Sequence, residues 1–295
     1  FVGVLQSVGD GRHPLIYLII SSCVNVVLDI FFIAGLGMGG GSAALATAIS
    51  QFVSALLCMV HLLRVEEEYR LELREIHFDS FMLKQIIQNG VPSGFQNSVI
   101  AIANVFVQSN INAFGKMAMA GCGSYSKIEG FAFLPVTCFT MALTTFVSQN
   151  LGAKQYDRAK KGARFGVLCS IAIAELIGII IYAAAPILIT AFNRDPDVVH
   201  YGVMQARIIA LFYCLLAFSH CIAAVLRGSG NASVPMIVML CDWCLFRVSY
   251  ITVAVRILPD IRVIFWAYPL TWSISSVIFL YLFLRGKWMY GFDKS

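Results

Sequence analysis

Residues 165–190 read FGVLCSIAIAELIGIIIYAAAPILIT, with Glu175 the one charged side chain among them. As a helix this stretch would rise about 39 Å at 1.5 Å per residue, more than the roughly 30 Å hydrocarbon core of a bilayer. Its apolar residues fall on every side rather than in one stripe, so it reads as a helix that crosses a membrane.

Working outward, segments of the same kind run 15–34, 42–63, 91–114, 129–150, 204–226, 235–257 and 263–284, which makes eight. Between them lie turn and breaker residues: Gly9-Asp10-Gly11 before Pro14, the Gly35–Gly41 run, Gly121–Gly123, Asn193–Pro196, Gly228–Asn231 before Pro235, and Pro259-Asp260. The 295 residues are 59% hydrophobic and 13% charged, about half the charged share of a soluble domain. That excludes a water-facing globule. The net charge of +5 comes with no basic motif, so nucleic acid is not an expected partner. Cys23, Cys58, Cys138, Cys169, Cys214, Cys221, Cys241 and Cys244 lie inside apolar stretches and read as small hydrophobes, the Cys241-x-x-Cys244 pair included.

Lys and Arg concentrate on the cytoplasmic side of membrane proteins. One set of alternate loops, around Arg12, Arg64–Lys84, Lys154–Arg164, Arg227 and Arg285–Lys294, holds fourteen of them; the other set holds six. Both ends of the chain are therefore expected to be cytoplasmic. The charged stretch that opens with Glu66-Glu67-Glu68 reads as a solvated connector between two bundles. The expected domains are 1–64, a two-helix piece of a first lobe; 65–85, a cytoplasmic linker; and 86–295, a six-helix second lobe.

A constant offset of 221 lays Leu5 on Leu226, Gly9-Asp10 on Gly230-Asn231, Pro14 on Pro235, Cys23 on Cys244 and Arg64 on Arg285. Each copy reads as a glycine loop, a proline opening a helix, a short outer connection, a second helix and a closing arginine. The repeat is parallel, because each copy has an even number of crossings. If both lobes hold six helices, four helices are expected upstream of residue 1.

Pro92-Ser93-Gly94-Phe95-Gln96, Asn112-Ala113-Phe114-Gly115, Glu129-Gly130-Phe131, Ser148-Gln149-Asn150-Leu151-Gly152-Ala153-Lys154 and Leu226-Arg227-Gly228-Ser229-Gly230-Asn231 through Pro235 resemble the multidrug and toxic compound extrusion (MATE) family. The resemblance implies an all-α, polytopic, two-lobe pseudo-symmetric transporter fold. On that resemblance eight transmembrane helices are expected here, with the fold's first four lying upstream of residue 1. It also implies a secondary antiporter that expels organic cations or drugs in exchange for Na+ or H+, needs no cofactor or metal, and works as a monomer in the cell membrane. In one branch of that family, carboxylates in the seventh and tenth helices bind the coupling cation; apolar Ile100 and Leu216 stand at those places here. Another branch uses an aspartate of the first helix, which this chain does not contain.

Polar residues at bilayer depth are costly and therefore candidates for function. Ser93, Asn97, Asn104 and Gln108 follow helical spacing and either line a cavity or bond between helices. Glu129, Thr140 and Thr144 share a second face, with Glu129 about one turn from the expected outer end, where it would carry a cation or pair with Lys127. Asn97, Asn104, Gln108, Thr140, Thr144 and Tyr213 are the candidate substrate contacts. Glu129, Asp29 beside Asn25, Glu175 and His220 are the candidate coupling groups. Glu175 has only apolar neighbours in sequence, so it is a proton site or a protonated structural group. Asp242 and Arg247, five residues apart, would lie on different faces and pair with neighbouring helices as structural ion pairs. Pro135 is a candidate hinge.

Gly35-x-Gly37-x-x-Gly40 matches a dinucleotide fingerprint by letter, but it joins two membrane helices and lacks the preceding strand, so it reads as a turn. No Walker loop, H-E-x-x-H or G-x-S-x-G occurs. The competing readings are a flippase for lipid-linked sugars, which would want a more cationic cavity, and a membrane-embedded enzyme, for which no nucleophile and base converge. A channel would show a filter rather than two equivalent bundles.

Overall fold

The computed structural model describes residues 1–39, 41–65, 69–72, 74, 77–285 and 287–290, and among these every regular element is helical. Gly40, Glu66-Glu67-Glu68 and Lys294 lie outside the described residues. The chain divides into two compact units, Phe1–Asp79 and Ser80–Ser295.

The first unit holds α1 (Val2–Ser7), α2 (Arg12–Ile30) prolonged by a π turn (Phe31–Gly35), and α3 (Gly41–Arg64). Ser42, Ala46, Ser50, Ser54, Cys58 and Leu62 recur every four residues and form the buried stripe of α3. Small side chains let two helices approach closely in lipid, and the Ser21 hydroxyl of α2 donates to the Ser50 carbonyl at 2.5 Å.

The second unit holds α4 (Ser80–Asn112), α5 (Lys116–Gly152), α6 (Tyr156–Thr190), α7 (Pro196–Ile209), α8 (Tyr213–Gly228), α9 (Ser233–Met239), α10 (Arg247–Ile257) and α11 (Ile261–Leu284). A 3-10 turn (Ala210–Phe212) joins α7 to α8, and a π segment (Leu240–Phe246) joins α9 to α10. Seven rods among the described residues are long and apolar enough to cross a membrane. The expected span 91–114 is an eighth rod: α4 has the length, at 33 residues, but Gln96, Asn97, Asn104 and Gln108 dilute its apolar character.

Several helices start well before their apolar windows. Those windows mark only the stretch suited to lipid, whereas α5 and α6 run 37 and 35 residues and their polar ends extend further. Residues 80–85, expected in the linker, are the first turns of α4. Gly121–Gly123, expected as a connection, lie inside α5; the chain turns instead at Ala113–Gly115, where Gly115 has φ of 100°. Gly121 is there for close approach. A Cβ on it would meet the Val198 carbonyl of α7 at 2.5 Å and the Gly202 nitrogen at 2.9 Å. α5 also runs uninterrupted through Pro135.

α8 is the axis of the second unit. Cys221, Ile222, Ala223, Ala224 and Val225 are all fully buried, and α5, α6 and α11 surround them. By contrast Phe165, Leu168 and Ile187 of α6 stand 72%, 65% and 75% exposed, a surface suited to lipid and not to water.

The internal repeat is repeated in the backbone. Asp10 N–H donates to the Leu5 carbonyl and Gly9 N–H to the Gln6 carbonyl, while Asn231 N–H donates to Leu226 and Gly230 N–H to Arg227. Both are Schellman turns with a left-handed glycine, at φ of 89° for Gly9 and 80° for Gly230. The next residue then caps the following helix in each copy: Asp10 Oδ1 accepts from the backbone of Arg12 and His13, and Asn231 Oδ1 from that of Val234.

The close approach at Gly121 yields a test. Gly121→Val should lower stability by about 1–3 kcal/mol through overpacking. Gly123→Val, where a Cβ meets nothing within 4 Å, should be silent in thermal unfolding in detergent.

Candidate functional site

α5, α8, the π segment, α10 and α11 bring one polar and aromatic cluster together inside the second unit. On α5, Tyr125, Glu129 and Phe133 follow each other at four-residue spacing and share a face. Tyr213 and His220, seven residues apart on α8, share another. The Tyr125 and Tyr213 hydroxyls are hydrogen-bonded at 2.8 Å. The His220 ring sits edge-on to Phe133 at 5.3 Å and to Trp243 at 5.4 Å.

Arg247 is at the centre and has no exposure. Its Nη2 donates to Thr271 Oγ1 at 2.9 Å, and its Cζ lies 4.5 Å from the Trp243 ring centroid and 4.7 Å from that of Tyr268. Two aromatic faces thus hold one guanidinium, each an attractive contact when desolvated. Asp242, Glu129 and Tyr268 all interact with it electrostatically.

The π segment corrects the expected placing of Asp242 and Arg247. In an α-helix, residues five apart point about 140° away from each other. Leu240–Phe246 is π-helical, and its closing bonds include the Asp242 carbonyl as acceptor, so the i to i+5 repeat sets the two side chains on one side. Both are buried, and no ion pair within 4.0 Å joins either of them to another charge among the described residues. The expected direct ion pairing is absent; the guanidinium is held by Thr271 and the two rings instead. Both Asp242 carboxylate oxygens, Arg247 Nε and Nη1 and His220 Nε2 are buried without a hydrogen-bond partner.

Glu129 is not near a helix end. Because α5 begins at Lys116, Glu129 lies more than three turns inside it and is half-buried. Lys127, the other expected partner, places its ammonium 5.4 Å over the Phe192 ring. Thr144 Oγ1 donates to the Thr140 carbonyl at 2.8 Å and the Ala224 carbonyl at 3.3 Å, and Thr140 Oγ1 to the Thr137 carbonyl. These hydroxyls bond to backbone, and Thr144 ties α5 to α8.

Glu175 has a polar neighbour that its sequence context does not reveal. Its Oε2 accepts from the Cys214 N–H at 3.2 Å, where the 3-10 turn leaves the first N–H groups of α8 without helical partners. On α4, Asn97, Asn104 and Gln108 are exposed, one position round the helix from the buried residues Gln96, Ala103 and Val107. Gln108 Nε2 donates to Asn112 Oδ1 at 2.9 Å within its own helix.

In the first unit, Asn25 and Asp29 lie one turn apart on α2 and are half-buried. Asn25 Nδ2 donates to Thr47 Oγ1 of α3 at 3.4 Å, and Asp29 Oδ1 is buried without a partner. Sequence reasoning missed Thr47, Tyr125, Trp243, Tyr268 and Thr271. Tyr125 was marked only by its spacing to Glu129, and Tyr268 and Thr271 by theirs to one another on the last span.

Membrane-length rods around a buried polar centre define a polytopic membrane protein. Residues 92–252 match the MatE family, and the chain belongs to that family. It is 28% identical to a "Probable multidrug resistance protein NorM" of Thermotoga maritima, over 98% of this chain and 63% of that protein. It is 23% identical to an "FAD transporter" of Shewanella oneidensis, over 95% of this chain and 63% of the relative. The chain thus spans a little under two thirds of these curated relatives. A solved outward-facing multidrug resistance MATE family transporter of the MOP superfamily has the same fold, with TM-score 0.89 and 22% identity over 99% of this chain and 65% of that one. A MOP superfamily transporter from Pyrococcus furiosus gives TM-score 0.87 at 20% identity over 95% of this chain and 64% of that one. These relatives and neighbours are transporters, not enzymes.

The central charge yields a test. Arg247→Met leaves the buried Asp242 carboxylate and the half-buried Glu129 without a cation beside them and should cost about 3–5 kcal/mol. Adding Asp242→Asn should recover part of that loss in thermal unfolding; a double variant no more stable than Arg247→Met would show that the two charges are uncoupled.

Proposed function

We propose that this chain is part of a secondary active efflux transporter that exchanges organic cations or drugs for Na+ or H+ across the cell membrane, with both chain ends cytoplasmic. The observation that carries the reading is one fully buried guanidinium, Arg247, sharing the membrane interior with two carboxylates, the buried Asp242 of the π segment and the half-buried Glu129 of α5. An arginine stays charged. With both carboxylates ionised the cluster is one charge short, and one entering cation neutralises it. Sodium or a proton can be that cation, and so can a positively charged substrate. Competition for one place is what antiport requires, since a ligand shifts a conformational equilibrium only through its differential affinity for the two states. The Asn25–Thr47–Asp29 group offers a second acid beside an amide and a hydroxyl, suited to the same ions. His220, among its aromatic neighbours, and Tyr213, bonded to Tyr125, add π faces beside these charges, and such faces attract cations.

Efflux of a fluorescent organic cation from vesicles under imposed Na+ or H+ gradients tests this, with Glu129→Gln and Asp29→Asn in parallel. Gradient-driven efflux lost in Glu129→Gln places coupling in the second unit, and loss in Asp29→Asn alone places it in the first. Efflux driven by neither gradient overturns the antiport reading. One relative is named for FAD, an anionic dinucleotide; FAD movement in the same vesicles, with none of the organic cation, would overturn the cationic substrate.

A further inference from the structure

Three side chains that the transport reading does not use converge in the first unit, where the α1–α2 loop meets the last turn of α3. Asp10 divides its two oxygens. Oδ1 caps α2 by accepting from the backbone N–H of Arg12 at 3.1 Å and of His13 at 3.2 Å. Oδ2 faces two imidazoles: His13 Nδ1 donates to it at 2.7 Å, and His61 Nε2 lies 3.8 Å away. That second distance is too long for a hydrogen bond. His61 Nε2 is nonetheless buried and has no partner. The two imidazole centroids are 4.2 Å apart, and the Tyr17 ring stands edge-on to His61 at 5.9 Å. The same Tyr17 packs against the unit's apolar cluster of buried Leu5, Cys58 and Leu62.

We propose that Asp10, His13 and His61 form a binding site for a divalent transition-metal ion of the zinc, cobalt and nickel class. Two imidazole nitrogens and one carboxylate oxygen are the donors such ions take, and all three atoms lie within 4.8 Å of one another. Metal bonds of 2.0–2.1 Å at a tetrahedral angle set donor atoms about 3.3 Å apart. The separations here, 2.7 Å and 3.8 Å, fall on either side of that value, so each needs a shift of only about half an ångström. Asp10 supplies a carboxylate oxygen whose partner oxygen is already fixed by the backbone N–H groups of Arg12 and His13. His13 has a side chain 46% exposed, against 16% for Asp10 and 18% for His61; entry is therefore from the His13 side, and the fourth position is left to solvent.

The repeat separates this site from the turn that carries it. The second copy keeps the Schellman turn and the cap at Asn231 but has Val234 and Leu282 where His13 and His61 stand. The cap needs neither histidine, so the pair is an addition to a turn that forms without it.

Titration of the tag-free full chain in detergent with CoCl2, followed by visible absorption, tests the proposal. One equivalent should give a saturable d–d band, and His61→Ala and His13→Ala should each weaken binding by roughly tenfold or more. Asp10→Asn should weaken it too while leaving the thermal unfolding curve nearly unchanged, because asparagine performs the same capping at position 231. Absence of a saturable band overturns the site, as does equal cobalt affinity in the wild-type chain and both histidine variants.

Discussion

Close contact with the backbone of α8 is the constraint on which the second unit depends. In lipid, apolar side chains gain little by meeting each other rather than acyl tails, so helices associate through van der Waals fit and hydrogen bonds between them. Side chains of α5, α6 and α11 each reach its main chain. Thr144 of α5 donates to the Ala224 carbonyl, Ser276 of α11 to the Leu215 carbonyl, and Glu175 of α6 accepts from the Cys214 N–H. A Cβ on Gly228 would meet the Thr144 carbonyl at 2.6 Å. The run of five fully buried residues from Cys221 to Val225 is the outcome.

Because α8 is enclosed, what it presents is sheltered from lipid as well. Tyr213 and His220 project from it toward α5 and the π segment, where Arg247 lies between two rings. The extra residue of a π turn is what rotates Asp242 round to the Arg247 side. Such turns occur often at functional sites, and here the consequence is direct: a guanidinium and a carboxylate that an α-helix would hold apart share one interior. The first unit makes a smaller version of the same compromise, with Asp29 just before its own π turn and Asn25 joined to Thr47 across the helix pair.

The repeat offset of 221 joins sequence to backbone in a way that composition cannot. Gly9 and Gly230 are left-handed for the same reason: each ends a helix whose last carbonyls need donors from the turn. Asp10 and Asn231 both follow as caps, and only the aspartate has a second anionic oxygen to offer.

Long apolar runs, breaker residues and the 221-residue repeat were legible without coordinates, because lipid demands continuous helices of a minimum length and a glycine turn has few substitutes. So were the identities of the polar candidates, since any acid or arginine at that depth stands out. Their grouping was not. Gly121 looked like a breaker because its letter does not distinguish a turn from a close helix contact, and that error put Glu129 near a helix end. Asp242 and Arg247 were set on opposite faces because a π turn leaves no mark in the sequence. Glu175 found its donor, and Asn97, Asn104 and Gln108 their exposed face, only once the helices were packed. A sequence specifies which groups a membrane helix carries; which of them meet depends on helix rotation and crossing, and those follow from contacts between residues far apart in the chain.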